Sequence, residues 1–244
     1  MLIIRITCLF LLLLLNTHCT VNAQQPKTSM VYQLRDAESR NSKTPVLIML
    51  HGYGSDDADL FDLAKGIDKN WMVFSLRAPN KRRDYGYCWY EIQFMPNGEF
   101  KYDYEQVKKS KALVLDFIRE VCKTYQMDSS RVFLMGFSQG TILSYELAVS
   151  NPSLVTGVIG LSGRLLAETR TQLKDKVSLQ NLRLFIGHGT NDEVIRIKEA
   201  EMAKSFFSQN KVVKLDYHEY PMAHSISQEE FNDIRAWLFK MVTP

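Results

Sequence analysis

A chain of 244 residues, 45% hydrophobic and 23% charged, has ordinary globular composition and enough length to bury a full core in one α/β domain. Its net charge is only +3, and basic residues are dispersed apart from the run Lys81-Arg82-Arg83. That balance argues against a nucleic-acid partner, and the short run reads as a solvated loop.

The first segment, "MLIIRITCLFLLLLLNTHCTVNA", has one early charge at Arg5, an apolar stretch from Cys8 to Leu15, then small and polar residues. Val21 and Ala23 stand at the −3 and −1 positions of a signal-peptide cleavage site, leaving Gln24 as the mature start. The stretch is too short to span a bilayer comfortably, so the expectation is an exported soluble protein without stable membrane insertion. Acylation at Cys19 is the lesser alternative, because Asn16, Thr17 and His18 make a poor lipidation context. Residues 1–23 are thus assigned to a signal peptide, 24–42 to a leader with the first strand, and 43–244 to the main folded domain. Removal of the segment leaves Cys88, in a loop beside Trp89, and Cys122, on a helix face. Export permits a bridge between them but does not require one.

Strand-length apolar runs then alternate with helical patterns. "MVYQLR" (Met30 to Arg35) fits an antiparallel first strand. "PVLIML", "WMVFSL", "RVFLMG", "VTGVIGL" and "LRLFIG" are continuous apolar runs of the kind covered on both faces, whereas "KLDYHEY" (Lys214 to Tyr220) suits an edge. Helical spacing is expected over Tyr104 to Tyr125, Gln139 to Val149, Glu193 to Ser208 and Ser227 to Met241. Alternation of this kind predicts a mostly parallel twisted sheet with helices on both faces.

"GFSQG" puts Ser138 where an apolar run ends and a helical pattern begins, the context of a nucleophile elbow. Gly136 and Gly140 would relieve the clashes of so tight a turn. A serine needs a base, itself oriented by an acid. Among the five histidines, His224 lies in the loop after the last strand run and fits the base, while His218 reads as a strand side chain and His188 as structural. Asp192, after the turn "GHGTND", is the acid, with Glu193 as runner-up and helix capping as its other reading. An oxyanion hole would use the backbone N–H of Gln139 and one from the loop "LHGYGSDDADL", around Tyr53. The acids Asp56, Asp57 and Asp59 do not match a calcium loop and read as capping residues. No cysteine has a partner at metal-ligand spacing, and no metal or organic cofactor is expected.

"LHGYGSDDADL", "RAPN" with "WYEI", "GFSQG", "LSG", "GTNDEVI" and "AHSIS" follow one another in an order that resembles the phospholipase/carboxylesterase family of α/β-hydrolases. The resemblance runs from about Lys43 to the C-terminus. It implies the α/β-hydrolase fold, nucleophile Ser138, acid Asp192, base His224, and oxyanion amides of Tyr53 and Gln139. It also implies that Trp89 and Tyr90 belong to the substrate cleft. Thr141 stands where many relatives have a second glycine, and no large lid insertion is evident. The expected activity is hydrolysis of small carboxylic esters with short or medium acyl groups, by a monomer or homodimer. The alternatives are a thioesterase or lysophospholipase, a polysaccharide acetyl or feruloyl esterase, and a catalytically silent binding protein of the same fold.

Overall fold

The computed structural model describes residues 25–95, 100–172 and 179–242. The segment expected to be a signal peptide, with Cys19 and the Ala23–Gln24 junction, lies outside the described residues. Strands β1 (Tyr32–Arg35), β2 (Val46–Leu50), β3 (Met72–Leu76), β8 (Val132–Phe137), β9 (Gly157–Leu161), β10 (Arg183–Gly189) and β11 (Lys214–Tyr220) form a 7-stranded sheet in the order β1-β3-β2-β8-β9-β10-β11. β1 pairs antiparallel with β3 and every other pair is parallel, so the mixed run Lys214–Tyr220 does lie at an edge. Two hairpins absent from the expectation sit between β3 and the first long helix: β4 (Asn80–Lys81) with β5 (Tyr87–Cys88), and β6 (Ile92–Phe94) with β7 (Phe100–Tyr102).

Helices α1 (Tyr104–Tyr125), α2 (Gln139–Ser150), α3 (Ala167–Gln172), α4 (Ile197–Gln209) and α5 (Gln228–Val242), with a 3-10 turn at Phe61–Gly66, cover the sheet. Strand periodicity sorts the core into two layers. Val46, Ile48 and Leu50 of β2 pack with Phe117 of α1, Leu143 of α2 and Phe207 of α4. Leu47 and Met49 face the other way, onto Leu60 just before the 3-10 turn and Phe231 and Trp237 of α5. α1 starts where the Asp103 carboxylate accepts the Gln106 N–H and ends at Gln126 in the left-handed region, φ 53°. The helix expected from Glu193 instead begins at Ile197, because Asp192 to Ile195 form a side-chain-bonded turn. Cys88 and Cys122 are separate free thiols; burial pushes Cys88 up to about 12 and Cys122 to about 11.

The parallel order delivers the ends of β2, β8, β10 and β11 to one side of the sheet. Tyr53, Ser138, Asp192 and His224 each follow one of those ends.

Candidate active site

Ser138 stands between β8 and α2 with φ 53° and ψ −113°, a backbone conformation costly for any residue with a Cβ. The surroundings hold it there. Its N–H donates to Leu161 O at 2.9 Å, and its carbonyl accepts the Ile142 N–H. A Cβ on Gly136 would lie 2.4 Å from the Gly140 carbonyl carbon, and one on Gly140 would lie 1.9 Å from Leu50 O. Only glycine at both positions lets the start of α2 press against the end of β2.

His224 and Asp192 meet from different loops. The His224 Nδ1–H donates to Asp192 Oδ2 at 2.7 Å, leaving the other ring nitrogen free to work as a base. The second Asp192 oxygen accepts the N–H groups of Val194 and Ile195, both at 2.9 Å, so this residue both forms a turn and orients an imidazole. Glu193 beside it is exposed. His188 is wholly buried and donates from Nε2 to Ile195 O at 2.7 Å; burial lowers its pKa and keeps it neutral. Its Nε2 also lies 3.4 Å from Asp192 Oδ2, so it lends a dipole to the acid rather than acting as the base. His218 of β11 stacks on Phe185 of the neighbouring β10.

Tyr53 and Gln139 join Ser138 on one cavity wall, and neither backbone N–H donates to an acceptor among the described residues. His51 braces the loop before Tyr53: Nδ1 donates to Gly52 O at 2.7 Å and Nε2 accepts the Ala78 N–H at 3.0 Å. Desolvation lowers the His51 pKa, consistent with this neutral tautomer.

Trp89 and Tyr90, expected at the substrate cleft, stand one layer behind the cavity wall. Both are fully buried and neither borders the cavity. They act behind it. The Trp89 indole N–H donates to His51 O at 2.9 Å, and the Trp89 backbone N–H donates to Gln139 Oε1 at 2.8 Å. Gln139 Nε2 donates in turn to Tyr90 O at 2.7 Å. Through Trp89, whose indole holds the His51 carbonyl, the Gln139 side chain links the residue after Ser138 to the loop carrying Tyr53, a part that the pentapeptide pattern does not reveal. Arg82 also departs from expectation: its guanidinium lies over the Tyr53 ring, 4.3 Å from the centroid, while Lys81 and Arg83 are exposed.

The cavity holds about 360 Å³, the size of a small-ligand site. Its walls are Ile92 and Phe100 from the β6/β7 hairpin, Phe137, Ile142 of α2, and Val194 and Ile195 beyond Asp192. Ser138 and His224 both border it. Sequence alone does not mark the hairpin residues, since strands of three residues carry too short an alternation to register. Apolar walls, a hydroxyl, an oriented imidazole and free amides form an arrangement suited to acyl transfer.

Thr141 fits its helix through its hydroxyl, which is bonded to Gly136 O and Leu161 O, both at 2.7 Å, and to the Leu161 N–H at 2.9 Å. No group of His, Cys, Asp and Glu that could hold a metal occurs among the described residues.

Residues 35–242 match the family model described as Phospholipase/Carboxylesterase. Among curated relatives, acyl-protein thioesterase 1 of Yarrowia lipolytica is 27% identical over 212 residues, 82% of this chain and 93% of the relative. Acyl-protein thioesterase 1 of Kluyveromyces lactis is 29% identical over 225 residues, 85% and 96% of the two chains. A crystal structure of a carboxylesterase from Mesorhizobium loti superposes with a TM-score of 0.73 at 21% identity, covering 87% of this chain and 96% of that one. This last likeness establishes the α/β-hydrolase fold. Matched across nearly all of its described length, the chain belongs to the phospholipase/carboxylesterase family and is an ester hydrolase.

Proposed function

We propose that the chain is an exported serine hydrolase that cleaves carboxylic esters of short or medium acyl groups through Ser138, His224 and Asp192. The observation that carries this reading is the His224–Asp192 bond of 2.7 Å at the edge of an apolar cavity that also contains Ser138. Ser138 Oγ attacks the acyl carbon while His224 Nε2 takes its proton. Negative charge on the carbonyl oxygen is met by the Tyr53 and Gln139 N–H groups. Collapse expels the alcohol, which receives the proton from His224, and an acyl-enzyme remains. His224 then activates water, and Ser138 is regenerated. Asp192 orients the imidazole throughout and stabilises its charged form. Export rests on the N-terminal segment, with cleavage after Ala23.

The test is Ser138→Ala, assayed on p-nitrophenyl butanoate with protein lacking residues 1–23. Hydrolysis should fall by about 10⁴-fold or more, with folding retained. A variant that keeps wild-type turnover would sink the mechanism. The named relatives support including an acyl-thioester in the same assay. A kcat/KM higher for the thioester than for the matched ester would shift the assignment to a thioesterase using the same residues.

A further inference from the structure

His224 borders two cavities. The first is the apolar one that contains Ser138. The second, about 350 Å³, shares with it the His224 and Phe137 rings, whose centroids are 4.9 Å apart. Its wall is more polar, with Ser225, Ser227 and Gln228 beside Leu63. Asp59, Phe137 and His224 line both cavities and so mark their junction.

The chemistry of the proposed reaction assigns the two spaces. The acyl carbon must reach Ser138, so the acyl chain occupies the apolar cavity. The leaving oxygen must take its proton from His224 Nε2 beside Ser138, and the adjoining cavity that His224 also borders is the space available to the rest of the alcohol. Neither cavity is lined by a lysine or arginine among the described residues. Apart from His224, the only ionisable side chain bordering both among the described residues is Asp59. Asp57 is held by Arg77 and Gln33, and the Asp56 carboxylate accepts the Ala58 N–H, whereas Asp59 has no ion-pair partner among the described residues. Arg82 on the neighbouring hairpin is turned onto Tyr53 and Asp84. The N-terminus of α5 borders the second cavity, but Glu229 in its first turn opposes that dipole.

We propose that the second cavity receives the alcohol part of the ester and that the Asp59 carboxylate selects against anionic alcohols, favouring those that carry a cation. This rests on the serine-hydrolase reading above. Phosphate-bearing and other anionic leaving groups are then poor substrates. Asp59 is exposed, so water and salt screen its field, and a selectivity of about three- to tenfold follows rather than an absolute block.

Three butanoyl esters test this: choline, its neutral isostere 3,3-dimethylbutanol, and 2-hydroxyethanesulfonate as alcohols. Each kcat/KM is divided by the hydroxide-catalysed rate of the same ester. The expected order is choline, then neutral, then sulfonate, with the choline-to-sulfonate ratio shrinking about three- to tenfold in Asp59→Asn and also in wild type at 0.5 M salt. The salt series decides the matter if the variant does not fold. A ratio unchanged by both treatments, with hydrolysis still dependent on Ser138, overturns this inference alone. Hydrolysis of none of the three overturns it together with the ester reading.

Discussion

Gln139 joins two functions in one residue. Its backbone N–H is a candidate oxyanion donor, while its side chain is buried and bonded to Trp89 N and Tyr90 O. Gln139→Ala strands a buried donor and a buried acceptor together. At about 1–3 kcal/mol per stranded group, a loss on the order of 2–6 kcal/mol is expected in urea unfolding. An unchanged midpoint would mean that water replaces the amide without cost. The residue's position beside Ser138 is legible in the pattern G-x-S-x-G; the destination of its side chain, 50 residues upstream, is not. The same limit explains Trp89 and Tyr90. Family resemblance points to their neighbourhood, but which aromatic rings border a cavity and which stand behind it depends on packing.

At the scale of elements, α2 shows how one helix position constrains a loop. Its residues from Gln139 to Val149 are all buried, polar Gln139, Thr141, Ser144 and Glu146 included, so no solvent-facing stripe marks it as amphipathic. Thr141 bonds the ends of β8 and β9, and a Cβ on Gly163 would sit 2.2 Å from its Cγ2. Gly163→Ala should therefore destabilise by about 1–3 kcal/mol through overpacking. In a Thr141→Gly background the same change should cost at least about 1 kcal/mol less. Equal costs in both backgrounds, measured in a double-mutant cycle, would refute the contact. Long elements such as α1 are readable because the helical period repeats over 22 residues, whereas the two hairpins offer only two or three residues a strand.

For the whole molecule, the buried carboxyl of Glu230 makes stability depend on pH. It sits on α5 against Gly187 of β10, where neither oxygen meets full hydrogen-bond geometry. Burial raises its pKa to about 8, with Asp233 adding to the shift and the nearby Ser227 amide opposing it. Between the ordinary value of 4.5 and about 8, the folded chain keeps a proton that the unfolded chain releases. Stability from this group thus falls as pH rises through that window and levels off above it. Glu230→Gln should flatten the slope and exceed wild type at pH 8 by an amount on the order of a few kcal/mol. Thermal melts from pH 5 to pH 9 check this, and parallel profiles for the two proteins would refute it.

By itself the sequence determined the alternation of strands and helices, the edge strand at Lys214–Tyr220, and the chain order of Ser138, Asp192 and His224. Those follow from local periodicity, glycine placement and short motifs, which are properties of neighbouring residues. Tertiary structure alone decided that Asp192 Oδ2 meets His224 rather than capping a helix only, and that Ile92 and Phe100 form the cavity wall. It also decided that Asp59 alone of its acidic cluster borders both cavities. The reason is geometric. Which side chains share a space depends on the parallel order β2-β8-β9-β10-β11, which gathers loops distant in sequence at one end of the sheet.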